Sequence, residues 1–160
     1  MSQQNYPERA DHLDVRGSAT LFTLSDKAGI GAVTGTLEGA AYGEPTSEPA
    51  EHGDGRFTYT MFHHFFAKDG SRLFTHDQAI MRPATRTEEK TALEVDYTIV
   101  EATGRFAGFS GTFHGKGWLK PEGEGAVAGN HTTGVIRFDG TIHRDVANAQ
   151  HTNRIAHAAS

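Results

Sequence analysis

The residues best equipped for chemistry crowd into one stretch. Tyr59, His63, His64, His76, Asp77 and Gln78 lie on either side of Lys68-Asp69-Gly70-Ser71. Asp-Gly between two runs rich in β-formers is a strong hairpin signal and favours a two-residue type I′ turn. With that turn Lys68 pairs with Ser71 and the register follows by arithmetic: Phe65 opposite Phe74, His63 opposite His76, Met61 opposite Gln78, Tyr59 opposite Ile80. One face then presents two imidazoles, an amide and a phenol, framed by Phe57, Met61, Phe65, Phe74 and Ile80. Directly opposed Cβ atoms lie about 4.5–5.5 Å apart, so the two rings can share a proton or a ligand.

The chemistry this predicts is general acid–base catalysis by His63 and His76. An apolar cavity favours neutral imidazole, which accepts at one nitrogen and donates at the other. Tyr59 or Tyr97 is placed to donate to a developing oxyanion. The opposite face, with His64 facing Thr75 and Phe62 facing Asp77, also mixes polar and apolar residues. Polar groups converging among aromatics favour the His63/His76 face as the cavity side. The competing reading puts these histidines on the exterior or in a subunit interface, since a chain with ten histidines makes chance pairs.

A metal site is the alternative chemistry, with His63 and His76 as ligands and His114 or Asp77 as a third. Against it, Asp77 points away from His76 in a regular strand, and His-x-His and His-Glu-x-x-His are absent. No metal or cofactor is expected. The glycine-rich segments Gly29-Ile30-Gly31 and Gly104 to Gly111 lack the strand–glycine–helix context of a dinucleotide site. Ser110 does not sit in a Gly-x-Ser-x-Gly elbow. Arg72, Arg82 and Arg137 are candidates to hold a carboxylate or enolate in the cavity, with Arg82 the one assigned to substrate; strand arginines are also common solvated edges.

These side chains need a scaffold of strands. The 160 residues suffice for one domain with a core. A hydrophobic share of 36% beside 19 glycines suits many short strands and turns better than long helices. Residues 1–12 read as a polar arm, 13–143 as the β domain and 144–160 as a tail. Leu13 to Leu24 and Ile30 to Tyr42 are strand-like, and the second run is open to division. Gly43 to Gly55 is a polar loop of a length often found over a site. Leu93 to Val100 alternates cleanly, with Leu93, Val95, Tyr97 and Ile99 on one face. Gly104 to Gly108 is a turn or single helical turn; Thr112 to Lys120 and Gly134 to His143 are further strands. Seven or eight strands joined by hairpin-like links hide their edges most simply as an antiparallel up-and-down β-barrel of about eight strands; a β-sandwich is the alternative.

Composition also excludes function classes. A net charge of −5 without a basic cluster argues against nucleic acid as a partner. With no cysteine there is no disulfide, thiolate ligand or thiol nucleophile. No run approaches the roughly 20 apolar residues of a membrane span. The polar N-terminus lacks a signal-peptide core, so a cytoplasmic location is expected.

The phrase Val100-Glu101-Ala102-Thr103-Gly104-Arg105-Phe106-Ala107-Gly108, running into Phe109 to Gly115, resembles a turn of bacterial allene oxide cyclase-like or dirigent-like barrels. Phe65 to Asp77 is similar to the hairpin before that turn, and Gly134 to Gly140 matches a closing strand in pattern. The resemblance spans Gly29 to His143. It implies an eight-stranded barrel with a cavity, a trimeric or dimeric assembly, and cofactor-free cyclisation or coupling of apolar molecules. It transfers no catalytic residue to a position here.

The expected function is therefore a cofactor-independent isomerase, cyclase or lyase acting on a small, partly apolar oxygenated molecule. His63, His76, Tyr59 and Tyr97 would do the chemistry, with Gln78, Phe57, Met61, Phe65, Phe74, Ile80 and Arg82 around the substrate. The alternative is a barrel that binds or carries a small hydrophobic ligand without altering it.

Overall fold

The computed structural model describes residues 11–25, 27–84, 90–122 and 131–145. In chain order the strands are β1 (His12–Asp14), β2 (Gly17–Ser25), β3 (Ala28–Gly35), β4 (Gly39–Pro45), β5 (Ala50–Glu51), β6 (Phe57–Ala67), β7 (Arg72–Arg82), β8 (Thr91–Thr103), β9 (Phe109–Ser110), β10 (Thr112–Glu122), β11 (His131–Asp139) and β12 (Thr141–Arg144). The long run from Ile30 to Tyr42 is thus divided, at Thr36 to Glu38. Of the arm and tail, only Asp11, His12, Arg144 and Asp145 fall within the described residues. The connectors 85–89 and 123–130 lie outside them.

Strands β2, β3, β4, β6, β7, β8, β10 and β11 follow one another around a ring, each antiparallel to its neighbours. Two pairings close it: β4 with β6, from Gly39↔Ala67 to Pro45↔Met61, and β2 with β11, from Phe138↔Gly17 to Thr133↔Phe22. The chain is an eight-stranded up-and-down barrel, and closure rules out the sandwich. A ring leaves none of its eight strands with a free edge, which is what so many short, glycine-interrupted strands need. Beside the ring, β1, β12 and β9 form a small separate sheet.

The β6–β7 turn differs from expectation by one residue. Gly70 N–H donates to the Ala67 carbonyl at 2.9 Å, and Ala67 N–H donates to the Ser71 carbonyl at 2.8 Å. Ala67 therefore pairs with Ser71 across a three-residue loop, Lys68-Asp69-Gly70. This is a type I turn followed by a glycine bulge, with Gly70 at φ +90°. The Asp69 carboxylate accepts from the Ser71 N–H at 2.9 Å, which favours this loop over the two-residue one. The slip turns every β7 side chain to the other face relative to β6. His63 faces Thr75, Phe62 faces His76, Met61 faces Asp77, and Tyr59 faces Ala79.

The Gly-Arg-Phe phrase locks this turn from outside. Gly104–Phe106 is one turn of 3-10 helix. Its Arg105 N–H donates to Ser71 Oγ at 2.9 Å, and the Arg105 guanidinium lies 3.0 Å from Asp69 and 2.9 Å from the Thr36 carbonyl. Phe106 beside it is fully buried. With Val15, Leu37, Leu73, Phe109 and Ile142 it fills one end of the barrel.

Candidate functional site

The two ends of the lumen are built differently. Toward the filled end, Phe65, Tyr97, Phe113 and Phe138 pack ring against ring, with centroids 4.8–6.0 Å apart. They form an aromatic floor. Above it lies a cavity of about 940 Å³ that opens at the other end. Its walls include Leu21, Met61, Met81, Leu93, Val95, Leu119 and Ile136. Glycine and alanine on β3 and β4 (Gly29, Gly31, Ala41, Gly43) supply little side-chain bulk on one side, which leaves the space empty. The segment Thr46 to Pro49 crosses the rim, tied to β6 where Thr46 N–H donates to the Thr60 carbonyl and Thr60 N–H to Ser47 Oγ.

The polar centre of this cavity is His63 with Asp77. Because the turn shifts the register, Asp77 on β7 shares the inner face with His63 on β6. His63 Nδ1–H donates to Asp77 Oδ2 at 2.6 Å, as a charge-assisted bond. The Asp77 side chain is wholly buried and that of His63 is 12% exposed. The bond fixes the ring orientation and leaves Nε2 as the free nitrogen. That edge lies against Gly43, where a methyl group would sit 2.4 Å from Nε2. A glycine is needed there for the imidazole to occupy its place. Asp77 Oδ1 and Thr75 Oγ1 are buried without a partner.

Two phenols complete the cluster. Tyr97, paired with Asp77 across β7 and β8, meets the His63 ring edge-on at 5.2 Å. Burial, then the negative charge of Asp77 and the neighbouring Tyr59, push the Tyr97 hydroxyl well above its ordinary range. Burial pushes Tyr59 up as well. Both phenols therefore remain protonated donors at neutral pH, and both line the cavity with His63. The arrangement is an oriented imidazole and two protonated phenols in an apolar chamber, which is equipment for moving a proton and stabilising an oxyanion.

Of the residues singled out in the sequence, Tyr59, Met61, His63, Phe65 and Tyr97 come together on the inner face, with Phe57 on the same face of β6 nearer the rim. The others do not. His76 faces outward and is exposed, so the expected pair of imidazoles is not formed, either for proton transfer or as metal ligands. Phe74, Gln78, Ile80 and Arg82 share that outer face of β7. Phe74 packs there on His64 at 4.6 Å and on Phe62 at 5.8 Å. Arg72, Arg82 and Arg137 are all exposed outside the barrel. His114, the other candidate ligand, bonds Asp96 on the exterior. Among the described residues no three His, Asp or Glu side chains are placed to share a metal ion.

The register shift also brings in residues the sequence reading passed over. In the sequence Asp77 stands out only as a third metal ligand or as the residue facing Phe62 on the opposite face. Met81 and Ala79 join it on the inner face, as do Gly43 and Ile136 from distant strands. The Ser71 following Asp-Gly, able to bond Asp69 and extend the loop, was the signal available for the longer turn.

Compared with protein-family models, curated proteins and solved structures, the chain matches none. The barrel is of the general architecture seen in allene oxide cyclase-like and dirigent-like proteins, and that likeness is one of fold. No helix among the described residues is long and apolar enough to cross a membrane.

Proposed function

We propose that this barrel is a cofactor-independent enzyme, an isomerase, cyclase or lyase, acting on a small, partly apolar oxygenated molecule held in its cavity. His63 Nε2 exchanges the proton, Asp77 holds the ring and stabilises its protonated form, and Tyr59 and Tyr97 donate to oxygen on the substrate. One observation carries this reading: a buried carboxylate orients an imidazole at the inner end of a mainly apolar chamber. A carrier needs the apolar walls but has no use for a buried carboxylate, whose desolvation is costly. The test is conversion of oxygenated apolar compounds followed by mass spectrometry with His63→Ala, and with His76→Ala as the outer-face control. Turnover should vanish in the first and persist in the second. Equal turnover in the wild type and His63→Ala would end the assignment.

The mainly apolar lining supports a second reading, a barrel that carries a hydrophobic ligand unaltered. A compound that raises the melting temperature and is recovered unchanged from both proteins would favour it. We also propose assembly into a trimer or dimer, supported by exposed Phe22, Ile30 and Phe66 on one outer face; light scattering that reports a monomer would refute it.

A further inference from the structure

We propose that the reacting group of the substrate is a neutral carbonyl bearing hydrogen on the adjacent carbon, mounted on a drug-sized, mostly apolar skeleton. This rests on the acid–base reading above and narrows it to one substrate class.

The charge distribution sets the first limit. At the inner end of the cavity the nearest full charge is the wholly buried Asp77 carboxylate beneath His63. Lys27 is the sole cation on the described lining, and it belongs to the rim together with Glu44 and Glu48. A carboxylate or phosphate pushed inward would lose its water, and the one group there able to carry a positive charge, His63, is already paired with Asp77. The group that reaches His63 is therefore uncharged.

The placement of donors and acceptor sets the second. His63 presents a nitrogen that accepts, and the two phenols present O–H groups that donate. A carbonyl with its neighbouring C–H matches that division. The Cα–H bond breaks and its proton passes to Nε2, while the C–H electron pair becomes the new C=C bond. The C=O π pair moves to oxygen, giving an enolate held by Tyr59 or Tyr97 O–H. Imidazolium then returns the proton to the same carbon, or to the far carbon of a conjugated system, which shifts a double bond. No electrons are gained or lost and no co-reactant is required. The volume of about 940 Å³ with apolar walls accommodates a skeleton of drug size.

The probes are benzylacetone and cyclododecanone as neutral ketones, hydrocinnamate as the carboxylate twin of benzylacetone, and naphthol as a fluorescent enolate mimic. In deuterium oxide the wild-type protein should place deuterium beside the ketone carbonyl at least about a hundredfold faster than His63→Ala, read by mass spectrometry. Benzylacetone should displace bound naphthol at least about tenfold more effectively than hydrocinnamate, a factor set by the like-charge penalty. Exchange at the same rate in both proteins, equal displacement by the carboxylate, or ketones that neither exchange nor displace naphthol would overturn the inference. Suppose another class, such as an epoxide, is converted in a His63-dependent way while the ketones do not exchange. The substrate class is then wrong and the acid–base reading survives. If every bound compound returns unchanged from both proteins, both fail.

Discussion

The two faces of the β6–β7 hairpin carry much the same residue types and meet opposite fates. Inside are His63, Phe65 and Tyr59; outside are His64, Phe62, Phe66, Phe74 and His76. His63 is bonded to a buried carboxylate inside the lumen, whereas His64 lies between Phe66 and Phe74 on the outer wall. Residue type does not distinguish these two neighbours. The surroundings do: the inner face looks across a lumen at the six other strands of the ring, and only there can one carboxylate, one imidazole and two phenols converge. A histidine among aromatics is thus no sign of a site until the strand's inward face is known.

The contrast is sharpest at adjacent positions of one strand. Phe65 is 1% exposed and Phe66 41%. Phe65→Ala should lower unfolding free energy by about 3–5 kcal/mol, and Phe66→Ala, at a protein concentration low enough to keep the barrel a single copy, by less than about 1 kcal/mol. Paired denaturant titrations measure both, and equal losses would mean that the outer face is covered in solution. Next in size is the inner dyad. Asp77→Asn keeps the shape but withdraws the negative charge that stabilises protonated His63. Turnover should fall by about a hundredfold or more, roughly 2.7 kcal/mol of barrier. A variant within threefold of wild type would remove Asp77 from the mechanism.

The turn that assigns the faces offers a smaller lever. Gly70→Ala puts a side chain at φ +90° and should cost about 1–2 kcal/mol, visible as a lower denaturation midpoint. If the variant is as stable as the wild type, the loop is not the one described. The smallest effect is confined to alkaline pH. Because the folded Tyr97 hydroxyl holds its proton more tightly than the unfolded one, the unfolded chain ionises first as pH climbs past about 10. Stability therefore falls with rising pH above that value, and this contribution is flat below it. Tyr97→Phe should make the alkaline decline shallower in thermal melts between pH 9 and 11, estimated as roughly the window around a phenol's ordinary value.

Much of the scaffold could be read from local patterns. The alternation of Leu93, Val95 and Tyr97 against Glu94, Asp96 and Thr98 predicts a half-buried strand, and β8 buries those three. Asp69-Gly70 marks a reversal, the abundance of glycine and β-formers predicts many short strands, and their number points to a barrel that hides their edges. Within the site, His63, Tyr59 and Tyr97 were legible as polar groups among aromatics. Asp77 was not, because its partner depends on loop length. One extra residue in the turn exchanges His76 for Asp77 beside His63 and replaces a pair of imidazoles with an imidazole and a carboxylate. The Arg105 clamp on Asp69 and Ser71 comes from a segment far along the chain, so no local rule announces it.

Local sequence is enough to make this chain form strands, to mark where most of them reverse, and to supply the residue types for proton chemistry. Periodicity and turn preference are local properties, and a single chain displays them directly. Tertiary structure alone decided which face looks inward, and hence which histidine meets which carboxylate. Pairing of β4 with β6 sets Gly43 beside His63, a contact between residues twenty positions apart that depends on which strands meet. Strand side chains alternate with a period of two, so a shift of one residue redistributes an entire face. A pattern of period two fixes two possible faces, and the packed barrel selects between them.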